Sequence, residues 1–195
     1  MPDNAPVDPL PLDDWDAALS SIIDDMGGAP INVHRLMAHH PALLQAWWSF
    51  RNYGVDGGDL GRRKGELVIL RTAIHLRAWY EWGAHVARAM ACGLTRAEIE
   101  RVKQGPADPA WPPDEALLLE TVDALITERG LSEDLKARLS EHYTVRQIMD
   151  VMAVHGMYVI LGNMVNTWPI ELDASVREVL PEDVTQETFE VEFPR

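Results

Sequence analysis

Between Arg62 and Arg77 the chain carries Leu67, Val68, Ile69, Leu70, Ala73, Ile74 and Leu76. A helix built on this segment is apolar on most of its sides. Such a helix has to be covered nearly all round, inside a bundle or at a subunit interface. The neighbouring segments supply further helices. Trp79–Cys92 is followed by Gly93, a residue suited to the left-handed turn that ends a helix. Thr95 with Glu98, and Thr144 with Gln147, have the spacing of capping boxes, in which each partner satisfies a free N–H of the other. The second box opens a long apolar helix to about Asn166.

Other helical stretches are shorter. Asp13 or Asp14 caps one that runs to about Met26, where Gly27 and Gly28 stop it. Ile31–Ala38 forms another. Pro41 suits a first turn with His40 as N-cap, and that helix runs to about Tyr53. Asp114–Arg129 is closed by Gly130, and Ser132 caps a helix to about His142. Residues 1–12, with four prolines, are expected to be extended, and Val184–Phe193 alternates weakly enough to be extended too. The body shows no run of strand alternation. The expected class is all-α, a helical bundle with short connections.

A chain of 195 residues is one domain, or one domain with appendages. Its net charge of −14 sits at the two ends. Residues 1–30 hold seven Asp and no base, and residues 171–195 hold eight acids against Arg177 and Arg195. The expected organisation is an acidic N-terminal arm over 1–30, a helical domain over 31–173 and an acidic C-terminal tail over 174–195. The ends are solvated tails or packing arms. An acidic chain argues against a nucleic-acid partner. No run reaches the roughly 18 apolar residues of a membrane span, and the first residues lack a secretory pattern. The single cysteine, Cys92, precludes an internal disulfide, so a cytoplasmic location is expected.

Chemistry concentrates in Ala78-Trp-Tyr-Glu-Trp-Gly-Ala-His85. Glu81 and His85 are four apart and share a helix face, with Arg88 one turn on. Glu66 precedes the apolar run of the neighbouring helix. If the three converge, burial and mutual repulsion hold one carboxyl protonated and another charged, which separates acid from base. A Glu–His pair at this spacing also serves as a packing contact or, with Glu66, as three metal ligands. Glu-x-x-x-His is not a specific metal motif, and no metal or cofactor is expected. Trp79 and Trp82 flank the pair and are candidates for an apolar substrate pocket. Arg71, His75 and His155 face the same region or pack. His39-His40-Pro41 reads as a helix start. Met149, Met152, Met157 and Met164 read as core or subunit contacts.

Glu66-Leu-Val-Ile-Leu-Arg71, Tyr80-Glu-Trp-Gly-Ala-His85, Gly93-Leu94 and Ile99 resemble the carboxymuconolactone decarboxylase family, with His39-His-Pro-Ala-Leu43 before them and Asn166-Thr-Trp-Pro-Ile-Glu-Leu-Asp173 after. The similarity spans about residues 31–173. The family includes alkylhydroperoxidase D, which reduces peroxide through a Cys-x-x-Cys pair. The resemblance places Glu66 and His85 at that enzyme's Glu and His, but Ala78 and Glu81 at its cysteines. Cys92, at a helix C-terminus, is poorly placed to be a thiolate and reads as a small buried residue. The decarboxylase branch has a carboxylate in the Glu-x-x-x-His segment. The resemblance therefore implies a cofactor-free acid–base enzyme acting on a small lactone or related organic acid. Glu66 or Glu81 is its base, His85 the partner or proton donor, and Arg71, or else Arg35 or Arg88, the carboxylate anchor. Trp79, Trp82 and His155 are the further substrate-binding candidates. It also implies a homo-oligomer, a trimer or hexamer. The rival readings are a thiol peroxidase, a non-catalytic small-molecule binder of the same fold, and a metal enzyme.

Overall fold

The computed structural model describes residues 7–194. The expectation of an extended start therefore lies outside the described residues over 1–6. Among the described residues there is no strand. Helices α1 (Ser20–Asp25), α2 (Asn32–Met37) and α3 (Pro41–Gly54) lead into α4 (Arg62–Leu76) and α5 (Trp79–Ala91). Then come α6 (Arg96–Gln104), α7 (Pro113–Thr127), α8 (Glu133–Ser140) and α9 (Val145–Thr167). Two short helices, α10 (Ala174–Arg177) and α11 (Gln186–Glu192), end the chain.

The all-round apolar segment is the hub. Helix α4 packs against α5, α6, α7 and α9, and buries Leu67, Val68, Ile69, Leu70, Ala73 and Ile74. Only two residues, Arg77 and Ala78, separate α4 from α5. Arg77 takes a left-handed conformation (φ 54°), and the Ala78 N–H reaches back to the Ala73 carbonyl at 2.9 Å. This tight link sets the two helices side by side, with Glu66 and His85 facing each other across them.

Both capping boxes form as expected, and so does the His40 cap, whose Nδ1 accepts from the Leu43 N–H. Three boundaries differ. Asp16, not Asp13 or Asp14, caps the N-terminal helical turns, by accepting from the Ala18 N–H. The left-handed residue after α7 is Arg129 (φ 61°), one position before Gly130. Most notably, Val184–Phe193 is not extended. Thr185 caps α11 by accepting from the Thr188 N–H, and this helix turns Phe189 inward onto Trp82 and Trp79. Local capping and one aromatic anchor outweigh a weak alternation. Phe189 thereby packs α11 against α5.

Helix α9 needs a further correction. By length and hydropathy it is long and apolar enough to cross a membrane, although half of its most apolar window is buried inside the fold. Its first turns also hold the glycine loop after α3. Asp150 accepts from the Tyr53 hydroxyl at 2.5 Å and from the Asp59 N–H at 2.7 Å. Gly58 sits against that carboxylate at φ 55°, where a Cβ would fall 2.7 Å from it.

Leu70 is fully buried in the hub. Leu70→Ala should destabilise the protein by roughly 2–5 kcal/mol, read as a lowered midpoint of urea unfolding; a change under about 1 kcal/mol would mean that α4 is not the packing centre.

Candidate active site

Helices α2, α3, α5 and α9 line a partly open cavity of about 20 Å³, room for roughly one water molecule. Its polar lining is His34 from α2, Arg51 from α3, Tyr80, Glu81, His85 and Arg88 from α5, and Tyr158 from α9. Val33, Ala84, Met157 and Leu161 supply apolar wall. Helix periodicity explains the α5 contribution, since positions 81, 84, 85 and 88 fall on one face. Trp79 and Trp82 fall on another.

Glu66, Glu81 and His85 are all buried. His85 Nδ1 lies 2.7 Å from Glu66 Oε2 on α4. A carboxylate accepts and does not donate, so the ring proton is assigned to Nδ1 and the Nε2 lone pair is left free. Nε2 stands 3.8 Å from Glu81 Oε2, beyond hydrogen-bond reach. The ring is fixed edge-on against Tyr158, with centroids 4.7 Å apart. Glu81 Oε1 is buried without a hydrogen-bond partner, and so is His34 Nδ1. Such orphaned buried atoms are uncommon in native proteins.

Burial governs the electrostatics. It pushes the Glu81 carboxyl up to about 8, against the pull of Arg88 and with a further push from Asp173. Burial lowers His85, while Glu66 opposes that shift. Burial, then Arg51 and Arg88, lower His34 to about 3. At neutral pH the site therefore contains a protonated Glu81 and two uncharged imidazoles. Neither Arg51 nor Arg88 forms an ion pair among the described residues, although Arg51 rests on the Trp48 ring at 5.0 Å.

Asp173 braces the entrance to α2. Its Oδ2 accepts from the Tyr80 hydroxyl at 2.6 Å and its Oδ1 from the Asn32 N–H at 2.8 Å. This tie carries His34 to the cavity and joins the Asn166–Asp173 segment to α5.

The remaining candidates lie elsewhere. Arg71 is engaged with Asp123 through two hydrogen bonds, Nε to Oδ1 at 2.6 Å and Nη2 to Oδ2 at 2.9 Å. Its Nη1 donates to the Val102 carbonyl, so the guanidinium has no free edge turned to the cavity. His75 Nε2 also meets Asp123, at 2.6 Å. His155 Nδ1 meets Thr72 Oγ1 at 3.0 Å; Thr72 donates to the Val68 carbonyl, so His155 is the donor there. Arg35 donates to the Leu10 carbonyl. Trp79 and Trp82 line separate clefts beside the C-terminal arm. Cys92 is half-buried rather than buried, lies outside the cavity lining, and has its thiol pushed up by burial and by Glu66. Sequence reasoning did not single out His34, Arg51 or Tyr158. The available signal was His34 among Val33, Leu36 and Met37, a polar residue on an apolar face.

The fold is a helical bundle with a buried Glu–His pair between α4 and α5. The model of the carboxymuconolactone decarboxylase family matches residues 41–121 of the chain. No curated protein matches the sequence. Among solved structures, the chain is similar to an alkylhydroperoxidase AhpD core, an uncharacterized peroxidase-related protein from Ralstonia eutropha JMP134. The TM-score is 0.75 at 19% identity, covering 88% of this chain and 95% of that one. It is similar also to the debrominase Bmp8, with TM-score 0.74 at 16% identity over 93% and 99%. A putative antioxidant defence protein AhpD from Agrobacterium tumefaciens gives TM-score 0.64 at 22% identity over 70% and 94%. At these identities the likeness is one of fold.

The Glu81 shift sets a sign for stability. Between pH 4.5 and about 8 the folded state keeps a proton that the unfolded chain releases. Its contribution is complete below 4.5 and is lost as pH rises through about 8. Glu81→Gln should therefore gain stability over the wild type as pH rises across that window, read by thermal melts; parallel curves would contradict a neutral Glu81.

Proposed function

We propose that the protein is a cofactor-free acid–base enzyme of the carboxymuconolactone decarboxylase type, acting on a small lactone or related organic acid. The observation that supports this most directly is that Glu81 and His85, whose Nε2 is free, line one cavity with unequal proton affinities. His85, held by Glu66, is the base. Glu81, protonated at neutral pH, is the acid. Glu66 is a positioning residue, because it acts through the ring.

In a decarboxylation the bond from carbon to the departing carboxylate breaks and CO₂ leaves. The bonding pair passes into a conjugated carbonyl as an enolate. Arg88 neutralises that charge, and such preorganised stabilisation is commonly the largest single catalytic contribution. Collapse of the enolate returns the pair to carbon, which takes the Glu81 proton. Water restores that proton through the cavity. For a double-bond shift, Nε2 of His85 removes the proton at one carbon and Glu81 supplies one at the other. The cavity has room for about one water molecule and is partly open, so a lactone requires its lining to rearrange.

A thiol peroxidase is supported less well, since Cys92 lies outside the cavity lining and its thiol is pushed up. Self-association belongs to the same proposal. Val145, Met149, Met152 and Ile160 leave an exposed apolar stripe along α9, which a second copy of the chain would cover.

On a turned-over lactone acid, kcat/KM should follow a bell. The acid limb falls below the ordinary histidine range as His85 takes a proton, and the alkaline limb sits near the Glu81 value of about 8. Glu81→Gln should lower kcat by roughly 10²–10⁴-fold. Unchanged turnover in Glu81→Gln would remove the acid–base reading.

A further inference from the structure

We propose that the cavity also hydrolyses small esters and lactones, with a water molecule seated between His85 Nε2, His34 Nδ1 and Glu81 Oε1 as the nucleophile. This rests on the acid–base reading of His85 and Glu81 and adds a second reaction, one in which water is a reactant. The cavity has room for about one water, and a buried water needs roughly two to four polar partners. The lining offers three. His85 Nε2 carries a free lone pair, since Nδ1 is taken by Glu66 and Glu81 Oε2 stands 3.8 Å off. His34 Nδ1 and Glu81 Oε1 are buried with no partner among the described residues. Decarboxylation and a double-bond shift consume no water, so they give these three atoms no common task.

The protons are distributed to suit a water. Burial keeps a proton on Glu81, so its hydroxyl donates to the water oxygen. His34 is held uncharged by burial and by Arg51 and Arg88, so with its ring proton on Nε2 it accepts one water proton at Nδ1. His85 accepts the other at Nε2. One lone pair of the water oxygen is then left over, and it is the pair that attacks.

In the first step His85 Nε2 takes a proton as the water O–H bond breaks, and the hydroxide oxygen bonds to the ester carbonyl carbon. The carbonyl pair moves onto oxygen. Arg88, one turn beyond His85 on the same face of α5, supplies the positive charge that stabilises this oxyanion. Glu66 steadies the imidazolium through Nδ1–H. In the second step the carbonyl re-forms, the bond to the alkoxy oxygen breaks, and that oxygen takes the Glu81 proton. His85 then returns its proton to Glu81. One water and one ester are consumed, and one acid and one alcohol are formed, with no other reactant.

The test uses the full chain and α-angelica lactone, a small unsaturated lactone that carries no carboxylate. Hydrolysis opens it to an enol that becomes levulinate; a double-bond shift converts it to its β isomer with the ring intact. Proton NMR reads both products. The wild type should form levulinate at least tenfold faster than buffer alone. A single turnover in H₂¹⁸O should place the label in the new carboxylate. His85→Gln should lower the rate by roughly 10²-fold. His34→Leu removes one partner of the water and should shift the product ratio towards the isomer at least tenfold; that ratio does not depend on how much of the variant folds. A levulinate rate equal to that of buffer, an unlabelled first turnover (a glutamate, not water, having attacked), or an unchanged ratio in His34→Leu would overturn the inference. Levulinate without the isomer keeps the inference and removes the double-bond shift from the proposed function. The isomer without levulinate does the reverse.

Discussion

The hydrogen bond from His85 Nδ1 to Glu66 Oε2 organises this molecule's chemistry. It crosses from α5 to α4 inside the core, where neither partner has water to fall back on. Removing one partner would leave the other buried and unsatisfied, at a cost of roughly 1–3 kcal/mol or more. The bond fixes the imidazole tautomer and turns Nε2 toward Glu81. The two-residue link between α4 and α5 brings the pair into register, and the apolar sides of α4 keep water out. Fold and site are thus one construction: the same helix that anchors the bundle delivers the carboxylate that orients the ring.

Around that bond the cavity is divided by charge. Glu66 and Glu81 approach His85 from two sides, while Arg51 and Arg88 stand on the cavity lining, with Glu66 and Glu81 among the groups that raise Arg88. Burial decides the outcome at Glu81. Desolvation raises its carboxyl more than Arg88 lowers it, and a proton is retained near neutrality. A buried carboxyl, an oriented imidazole and two guanidiniums therefore share one lining.

Much of this is legible in the sequence, for identifiable reasons. Hydrophobic content on most sides of 62–77 announces a central helix. Capping boxes at Thr95 and Thr144 locate helix starts because their hydrogen bonds are local. Glu81 and His85 share a face because helix periodicity requires it. Arg71 shows where such reasoning ends. Its helix position is readable, but its partner Asp123 lies 52 residues away and claims the guanidinium. His34 and Arg51 reach the cavity only through packing of α2 and α3, held by the long-range Asp173–Tyr80 and Asp173–Asn32 bonds. The aromatic pair Trp79 and Trp82 suggested a substrate pocket, whereas Phe189 from the C-terminal arm covers Trp82. That arm's weak alternation concealed the Thr185 cap and the inward aromatic.

The central claim is that Glu81 is a neutral acid beside a neutral, oriented imidazole. Isotope-edited infrared spectroscopy of the resting protein, with ¹³C-labelled glutamate, tests it directly. A protonated-carboxyl C=O band should be present at pH 6.5, absent from Glu81→Gln, and should titrate away with a midpoint near 8. If that band is missing at pH 6.5, or disappears near the ordinary carboxylate value of 4.5, Glu81 is ionised at rest and the account fails.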